Sequence, residues 1–359
     1  PMTTGNIFSS CTDDFEKLNT SNIQVDPADL PFAAQCTEPM TYCYPPQQNM
    51  FQFWTNLTID LYGGYFMTPN GNFTNGDMGE NRGHSGGMYE NYYLHIFNNT
   101  RRIIAQCDAS GERGLSGVMR IVQAYGTLMT TDAYGPIPYS SILSGENEVY
   151  FEFDSQKDLY KAMLEDLSTA ITDISAMGAD EIAKLKSFDC WCNGDKDLWV
   201  KIANTMKLRM ALRLSKRETE AGNAGMNLKA IATEAAQNTL ATVNKDILID
   251  KSLENEMWLM FNWGDCGFNA NLVTIMSGTK DPRQPLYMTL NTGDIKNEAG
   301  TTTVAANSQY LGIRFASGLP AKPNSWGNFS GWIQGNNGSS YSMPLPIMKA
   351  AEAYFLLAE

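Results

Sequence analysis

Histidine is scarce: the 359 residues hold only two, His84 and His95. Neither stands near a cysteine pair in metal-ligand spacing, so a zinc enzyme or a hydrolase built on a histidine base has little material. Basic residues are also in short supply. Lys plus Arg number 26 against 39 Asp plus Glu, a net charge of −13, and no segment gathers the cations into a patch. Phosphate neutralisation needs a basic surface, so nucleic acid is a poor partner class. Long apolar runs are missing as well. Without a stretch of about 18 apolar residues, the sequence encodes no transmembrane helix.

What remains describes a globular protein, 43% apolar and 18% charged, with 30 Gly, 15 Pro and 16 each of Tyr and Phe. The length allows two or three domains at roughly 100–200 residues each, although large single folds also reach this size. Aromatic residues make up 11%, including 7 Trp, and many lie in Gly/Asn-rich stretches instead of periodic ones. That distribution points to binding surfaces.

The chain opens on Pro1, and Ile7-Phe8-Ser9-Ser10-Cys11-Thr12-Asp13-Asp14 sets small residues before a cysteine and acidic ones after it. This resembles the tail of a bacterial lipoprotein signal, whose cysteine becomes the lipidated first residue, though the apolar run that should precede it is missing. Residues 1–32 read as lipoprotein N-terminus and polar tether, and 33–359 as the folded body. Beyond Cys11, six cysteines remain, Cys36, Cys43, Cys107, Cys190, Cys192 and Cys266, an even number compatible with an oxidising compartment. Cys36 and Cys43 could close a short loop, while Cys190-Trp191-Cys192 is tight for a mutual bridge. Free buried thiols are the other reading.

A first helical signal runs from Gln52 to Tyr62. Gly63 to Met88 then loses periodicity, and a loop this long inside a compact domain is usually functional or disordered. Clean helical stripes follow. Tyr89, Tyr92, Tyr93, Ile96, Phe97, Ile103 and Ile104 form one; Leu115, Val118, Met119, Val122, Tyr125 and Met129 form the next. The short connection from Cys107 to Gly114 predicts that these two pack antiparallel. A third helix starts at Ser155 with Asp158 as a variant capping box and ends at Gly178. The fourth follows Asp195, buries Trp199, Ile202, Met206 and Met210, and holds Arg213, Lys216 and Arg217 in its last turn, the favourable sign there. A fifth, Leu228 to Asn238, packs beside these two hairpins. Thr239 to Pro344 is rich in Gly, Asn, Thr and aromatics, with short strands expected in Ala241 to Ile249 and Thr301 to Phe315. A helix from Met348 is still running at Glu359, which reads as a C-terminal truncation.

Thr131-Asp132-Ala133-Tyr134-Gly135-Pro136-Ile137-Pro138-Tyr139-Ser140 follows a helix and is rigid by composition. It resembles the D-x-Y-G-x-[IV]-P-Y segment of the SusD/RagB family. Further matches keep the family's order. They are Phe153-Asp154-Ser155-Gln156-Lys157-Asp158-Leu159-Tyr160, Gly194-Asp195 with Trp199, Lys207-Leu208-Arg209-Met210-Ala211-Leu212-Arg213, Asp281-Pro282-Arg283, and Met348 through Glu359. The resemblance implies a mainly α fold, with tetratricopeptide-like helix pairs as scaffold and an irregular, loop-rich region carrying the ligand site. It implies a surface lipoprotein of the outer membrane, not an enzyme and without a cofactor. Such a protein captures oligosaccharides, or peptides in one branch, for a SusC-like TonB-dependent transporter. The motif residues Asp132, Tyr134 and Pro136 are expected to fix a corner. Arg209 and Arg213 are expected to be solvated or paired with carboxylates.

A sugar ring needs flat aromatic platforms with amide and charged groups around them. The irregular stretches supply Tyr62, Tyr65, Phe66 and Phe73 with Asn70 and Asn72, and then Trp258, Phe261 and Trp263 with Asn262 and Asp265. A third stretch holds Trp326, Phe329 and Trp332 among several amides. The expected ligand residues are Tyr65, Phe73, Trp258, Trp263, Trp326 and Trp332, with Trp54 and Trp199 assigned to the core. Glu146 and Glu148 could be imagined as a glycosidase pair, but nothing places them opposite one another and solvated charges are the ordinary account.

Overall fold

The computed structural model describes residues 30–45, 50–70, 73, 79, 81–144, 150–249, 256–296, 300–315, 330, 333 and 342–359. Its longer helices are α1 (Phe32–Tyr42), α2 (Phe51–Asp60), α3 (Asn98–Ser110), α4 (Arg113–Tyr134) and α5 (Gln156–Ser175), then α6 (Ala179–Lys186), α7 (Lys196–Arg213), α8 (Leu228–Ala236), α9 (Ala270–Thr279) and α10 (Ala350–Ala358). Capping side chains start two of them where the sequence predicts. Ser155 Oγ accepts from the Asp158 amide at 3.2 Å and donates to its carboxylate at 2.6 Å. Asp195 Oδ1 accepts from the amides of Asp197 and Leu198 at 3.1 and 3.3 Å. Each satisfies donors that a helix start would otherwise leave bare.

Helices α3, α4, α5, α7 and α8 pack in chain order, each against the next, as stacked hairpins do. Their apolar stripes, together with the π-type segment Tyr92–Phe97 that leads into α3, meet in one continuous core that holds Trp199, Phe97, Tyr92 and Met119. The α4–α5 contact is the most extensive, and Gly117 is what allows it. A Cβ there would stand 3.2 Å from the Ala170 Cα and 3.1 Å from Ile174 Cγ1, so a side chain would wedge the helices apart. Arg120 ties three helices by pairing with Asp108 of α3 at 2.9 Å and Asp166 of α5 at 2.7 Å. Arg209 of α7 grips Glu352 of α10 bidentately, Nε donating to Oε1 and Nη2 to Oε2, and Arg213 pairs with Asp132. Both arginines therefore take the carboxylate partners expected of them.

The strands among the described residues are short and pair antiparallel. They are β1 (Phe66–Met67), β2 (Ile137–Pro138), β3 (Phe153–Asp154), β4 (Ile247–Ile249), β5 (Gly267–Phe268), β6 (Ile295–Lys296), β7 (Thr302–Val304) and β8 (Leu345–Met348). The pairs are β1–β5, β2–β3, β4–β8 and β6–β7. A second, smaller core of Phe51, Met260, Cys266, Phe268, Val273, Met276 and Met288 binds the later, irregular region to the start of α2. The scaffold thus holds that region against its first helices.

Several expectations need correction. Cys107 lies inside α3, which runs to Ser110, so the link to α4 is only Gly111 and Glu112. Gly178 does not end α5 but precedes α6, and α7 stops at Arg213, leaving Lys216 and Arg217 in a separate turn. The Gly63 to Met88 stretch is not wholly irregular. It contains β1 and the short helix Arg82–Ser85, whose start Asn81 caps by accepting from the His84 amide. The Thr239 to Pro344 region contains helices Glu256–Asn262 and α9. α9 carries no charged residue, so its polar face, Asn271, Thr274 and Ser277, is only weakly marked in the sequence. Cys36, Cys43, Cys107, Cys192 and Cys266 are thiols and not halves of a disulfide. Cys36 and Cys43 therefore close no loop.

Candidate binding site

Three segments far apart in sequence form a cleft of about 540 Å³. Helix α2 supplies Trp54, Thr58 and Ile59, with Tyr62 just beyond it. The Arg82–Ser85 turn supplies Ser85 and its cap Asn81, and the end of α4 supplies Asp132, Ala133 and Tyr134. The hydrogen bonds of α2 run five residues back, a wide π-type turn uncommon in helices and frequent at functional sites. Wider turns carry positions four or five apart onto one face, and 54, 58, 59 and 62 follow that spacing.

Aromatic rings build the wall. Trp54 stacks on Tyr134 with centroids 5.5 Å apart and planes 18° from parallel. Tyr134 Oη donates to the Ser85 carbonyl and accepts from the Tyr89 amide at 3.3 Å, and its ring edge meets Tyr89 at 5.5 Å. So the motif tyrosine does fix the corner, and it faces the cleft as well. Tyr62 is 41% exposed and donates to the Gly79 carbonyl at 3.0 Å, which holds its ring at the mouth. Asn81, Ser85 and Asp132 add amide, hydroxyl and carboxylate groups around the rings. An aromatic surface with polar groups at its edge can stack on an apolar ring face and hydrogen-bond hydroxyls beside it.

Of the described aromatics expected from sequence, Tyr62 lines this cleft, while Tyr65, Phe73, Trp258 and Trp263 are not among its lining residues. Strands β1 and β5 join the first two aromatic stretches, with Phe66 opposite Phe268 and the Asn269 amide donating to the Tyr65 carbonyl at 3.0 Å. Asp265 tightens the junction, accepting from Gln52 Nε2 and Asn70 Nδ2 at 2.9 Å each. Asp265 and Asn70 are buried in this bond network, so they hold the fold together. Tyr65 and Trp263 remain 55% and 39% exposed, while Trp258 is half-buried on the short helix. Phe73 meets the ring of His84 edge-on at 5.7 Å, and His84 stacks on Phe53 at 4.3 Å. Burial lowers the His84 pKa, which favours its neutral ring. Cys11, Trp326, Trp332, Glu146 and Glu148 lie outside the described residues. Among the described residues no group of three or more His, Cys, Asp or Glu side chains is placed to hold a metal ion, and no helix is long and apolar enough to cross a membrane.

Sequence reasoning missed Asn81, Ser85, Thr58 and Ile59, and gave Trp54 and Asp132 structural roles alone. The signal available was the Trp54, Thr58, Tyr62 spacing, two aromatics and a hydroxyl four residues apart on one helix.

Asp60 ends α2, and burial pushes its carboxyl up to about 7. A raised folded-state pKa means that the folded protein holds the proton more tightly than the unfolded chain. The resulting stability is complete below the unfolded value near 4 and is lost as pH rises through about 7. Asp60→Asn should therefore melt at a higher temperature than wild type at pH 8 and lose that advantage at pH 4. The difference should be of order 2 kcal/mol, because solvent still reaches the half-buried carboxyl and softens the cost of charging it. Parallel pH profiles of the two melting temperatures would refute the assignment.

Comparison with known proteins supplies the family. The model of the SusD-like family, Susd and RagB outer membrane lipoprotein, matches residues 16–359. A SusD-like protein from Bacteroides thetaiotaomicron is 25% identical, with a TM-score of 0.72 over 91% of this chain and 64% of its own. A chitin-binding SusD homolog from Flavobacterium johnsoniae is 22% identical, with a TM-score of 0.74 over 90% of this chain and 64% of its own. A SusD homolog from Bacteroides vulgatus is 23% identical, with a TM-score of 0.67 over 89% of this chain and 64% of its own. The chain thus spans somewhat less than two thirds of the length of these structures. No curated protein matches it.

Proposed function

The chain belongs to the SusD-like family of outer membrane lipoproteins, and from that premise we propose that it captures oligosaccharides at the cell surface and passes them to a SusC-like TonB-dependent transporter. It acts by binding and not by catalysis. The observation that carries the reading is the aromatic cleft, where Tyr62 and Tyr134, the latter backed by the buried Trp54 ring, offer aromatic surface ringed by Asn81, Ser85 and Asp132. Pyranose rings present an apolar face edged by hydroxyls, the complement of that surface. Two similar structures are described as chitin-binding, which makes chito-oligosaccharides the first ligands to try. Tyr65, Phe73, Trp258 and Trp263 extend the surface for longer ligands, and Trp326 and Trp332 are proposed as further platforms.

Attachment is proposed at Cys11. One acyl chain binds a membrane only marginally, so a stable anchor takes more than one. Expressing the whole gene with Cys11→Ala should move the protein from the membrane fraction to the soluble one, and unchanged partitioning would remove this anchor.

Calorimetric titration with chito-oligosaccharides, other neutral oligosaccharides and a set of peptides tests the ligand class. Tyr62→Ala should weaken sugar binding by roughly 1–3 kcal/mol, by analogy with bases stacked on aromatic side chains, and leave the melting curve in place. Unchanged affinity would move the site to Tyr65 and Trp263. Binding of peptides and of no sugar would replace the glycan reading with the peptide one.

A further inference from the structure

Asp132 stands on the wall of the aromatic cleft, and two groups hold its carboxylate from the far side. Tyr160 Oη donates to Oδ1 at 2.7 Å, and the Arg213 guanidinium pairs with Oδ2. Tyr160 and Arg213 line a second cavity, of about 410 Å³, between the start of α5 and the end of α7. One carboxylate therefore separates the two spaces.

The chemistry of the second cavity is different. Its cations are Lys157, Arg213 and Arg217, and among the described residues its only lining carboxylate is Glu220. Arg213 is already shared with Asp132. Arg217 and Glu220 make an i,i+3 pair at 2.9 Å with side chains 69% and 61% exposed, an arrangement that binds weakly in water. Lys157 has no ion-pair partner among the described residues. Three cations thus face two carboxylates, counting Asp132, a local positive surplus on a chain of net charge −13. Lys157 also sits in the first turn of the 20-residue α5, where the helix dipole favours a negative group. Leu214, Ala221 and Met226 give the same cavity an apolar side.

We propose that this cavity binds the carboxylate of a sugar acid, with Lys157 and Arg217 holding the charge and the apolar side receiving the ring face. That the carrier is a sugar rests on the glycan reading above, and it adds to the neutral ligands of the cleft a class of acidic oligosaccharides that can span both spaces. A bare inorganic anion would use the cations but not the apolar side.

The test is an amide-resolved NMR titration of the protein with glucuronate, glucose and inorganic sulfate, in wild type and in Lys157→Gln/Arg217→Gln. Both substituted side chains are exposed, so the melting curve should be unchanged. Glucuronate should shift the amides of 156–160 and 213–221 saturably, and the double variant should bind it about tenfold more weakly as charge-assisted contacts are lost. Glucose should leave these amides unmoved. No saturable glucuronate response, or one that the double variant retains in full, would overturn the site. Sulfate binding as tightly as glucuronate would overturn its assignment to a sugar acid. Neutral oligosaccharides report separately through Trp54, Tyr62 and Tyr134, so a failure of the glycan reading would be seen at a different set of amides.

Discussion

Trp199→Ala should cost roughly 3–5 kcal/mol of folding stability, the range for removing a buried Trp or Phe from a core. Trp199 has no exposed surface and stacks on Trp191 with centroids 5.2 Å apart and planes 14° from parallel. Ile202, Met206 and Met210, equally inaccessible, continue the same helix face. Truncation removes the ring from this packing and leaves a space that helices pinned on several sides cannot close. Domains have only about 5–15 kcal/mol in hand, so the variant should populate unfolded chain or lose its cooperative transition at moderate temperature. Urea unfolding measures it: the midpoint should fall sharply while the slope stays constant. An unchanged midpoint would place the ring in solvent and break the stripe on which the scaffold assignment rests. Trp199→Phe keeps most of the volume and should lose less.

How much of this was legible follows from element length. The helices that carry Val118, Leu164 and Trp199 extend over five turns or more, so their apolar positions recur often enough to be read directly, and the caps Ser155 and Asp195 mark two of their starts. Strands of two residues, such as Phe66–Met67, are too short to show a period of two, and their pairing with Gly267–Phe268 depends on segments some two hundred positions away. α9 hid because it carries no charged residue to mark its outer face. The cleft was half visible. Trp54 does belong to the core by burial, but its ring also lines the cleft with Tyr134 and Ser85, and no local pattern reports that three distant segments converge. The same limit applies to carboxylates: Arg213 could be expected to find a partner, but only the fold says that the partner is Asp132 and that a cavity lies on each side of it.

Asp189 shows how a residue without any periodic signal can matter as much as the largest core ring. It sits in Asp189-Cys190-Trp191-Cys192-Asn193-Gly194-Asp195, the turn that leads into α7, and it is buried. Its Oδ1 accepts from the amides of Trp191 and Cys192 at 3.0 and 2.9 Å, and its Oδ2 accepts from the Gly194 amide and from Trp199 Nε1 at 2.8 Å each. Gly194 adopts φ +80, and a Cβ there would come 2.7 Å from the Lys186 Cβ, so the turn cannot relax toward α6 when its anchor is lost. Asp189→Ala strands four donors, most of them away from water. Hydrogen bonds to a charged group contribute about 1.5–3 kcal/mol each when removed singly, but these share one acceptor and will not add, so the expected loss is roughly 4 kcal/mol. Asp189→Asn keeps the shape, turns one acceptor oxygen into a donor facing donors, and should lose about half as much. Amide exchange at Trp191, Cys192 and Gly194 should speed up in both variants ahead of global unfolding. Because Asp189 and the Trp199 indole are bonded to each other, the Asp189→Ala/Trp199→Ala double variant should be less destabilised than the two single losses combined. Strict additivity in that cycle would mean that the carboxylate supports the turn alone and that its bond to Trp199 contributes nothing to the core.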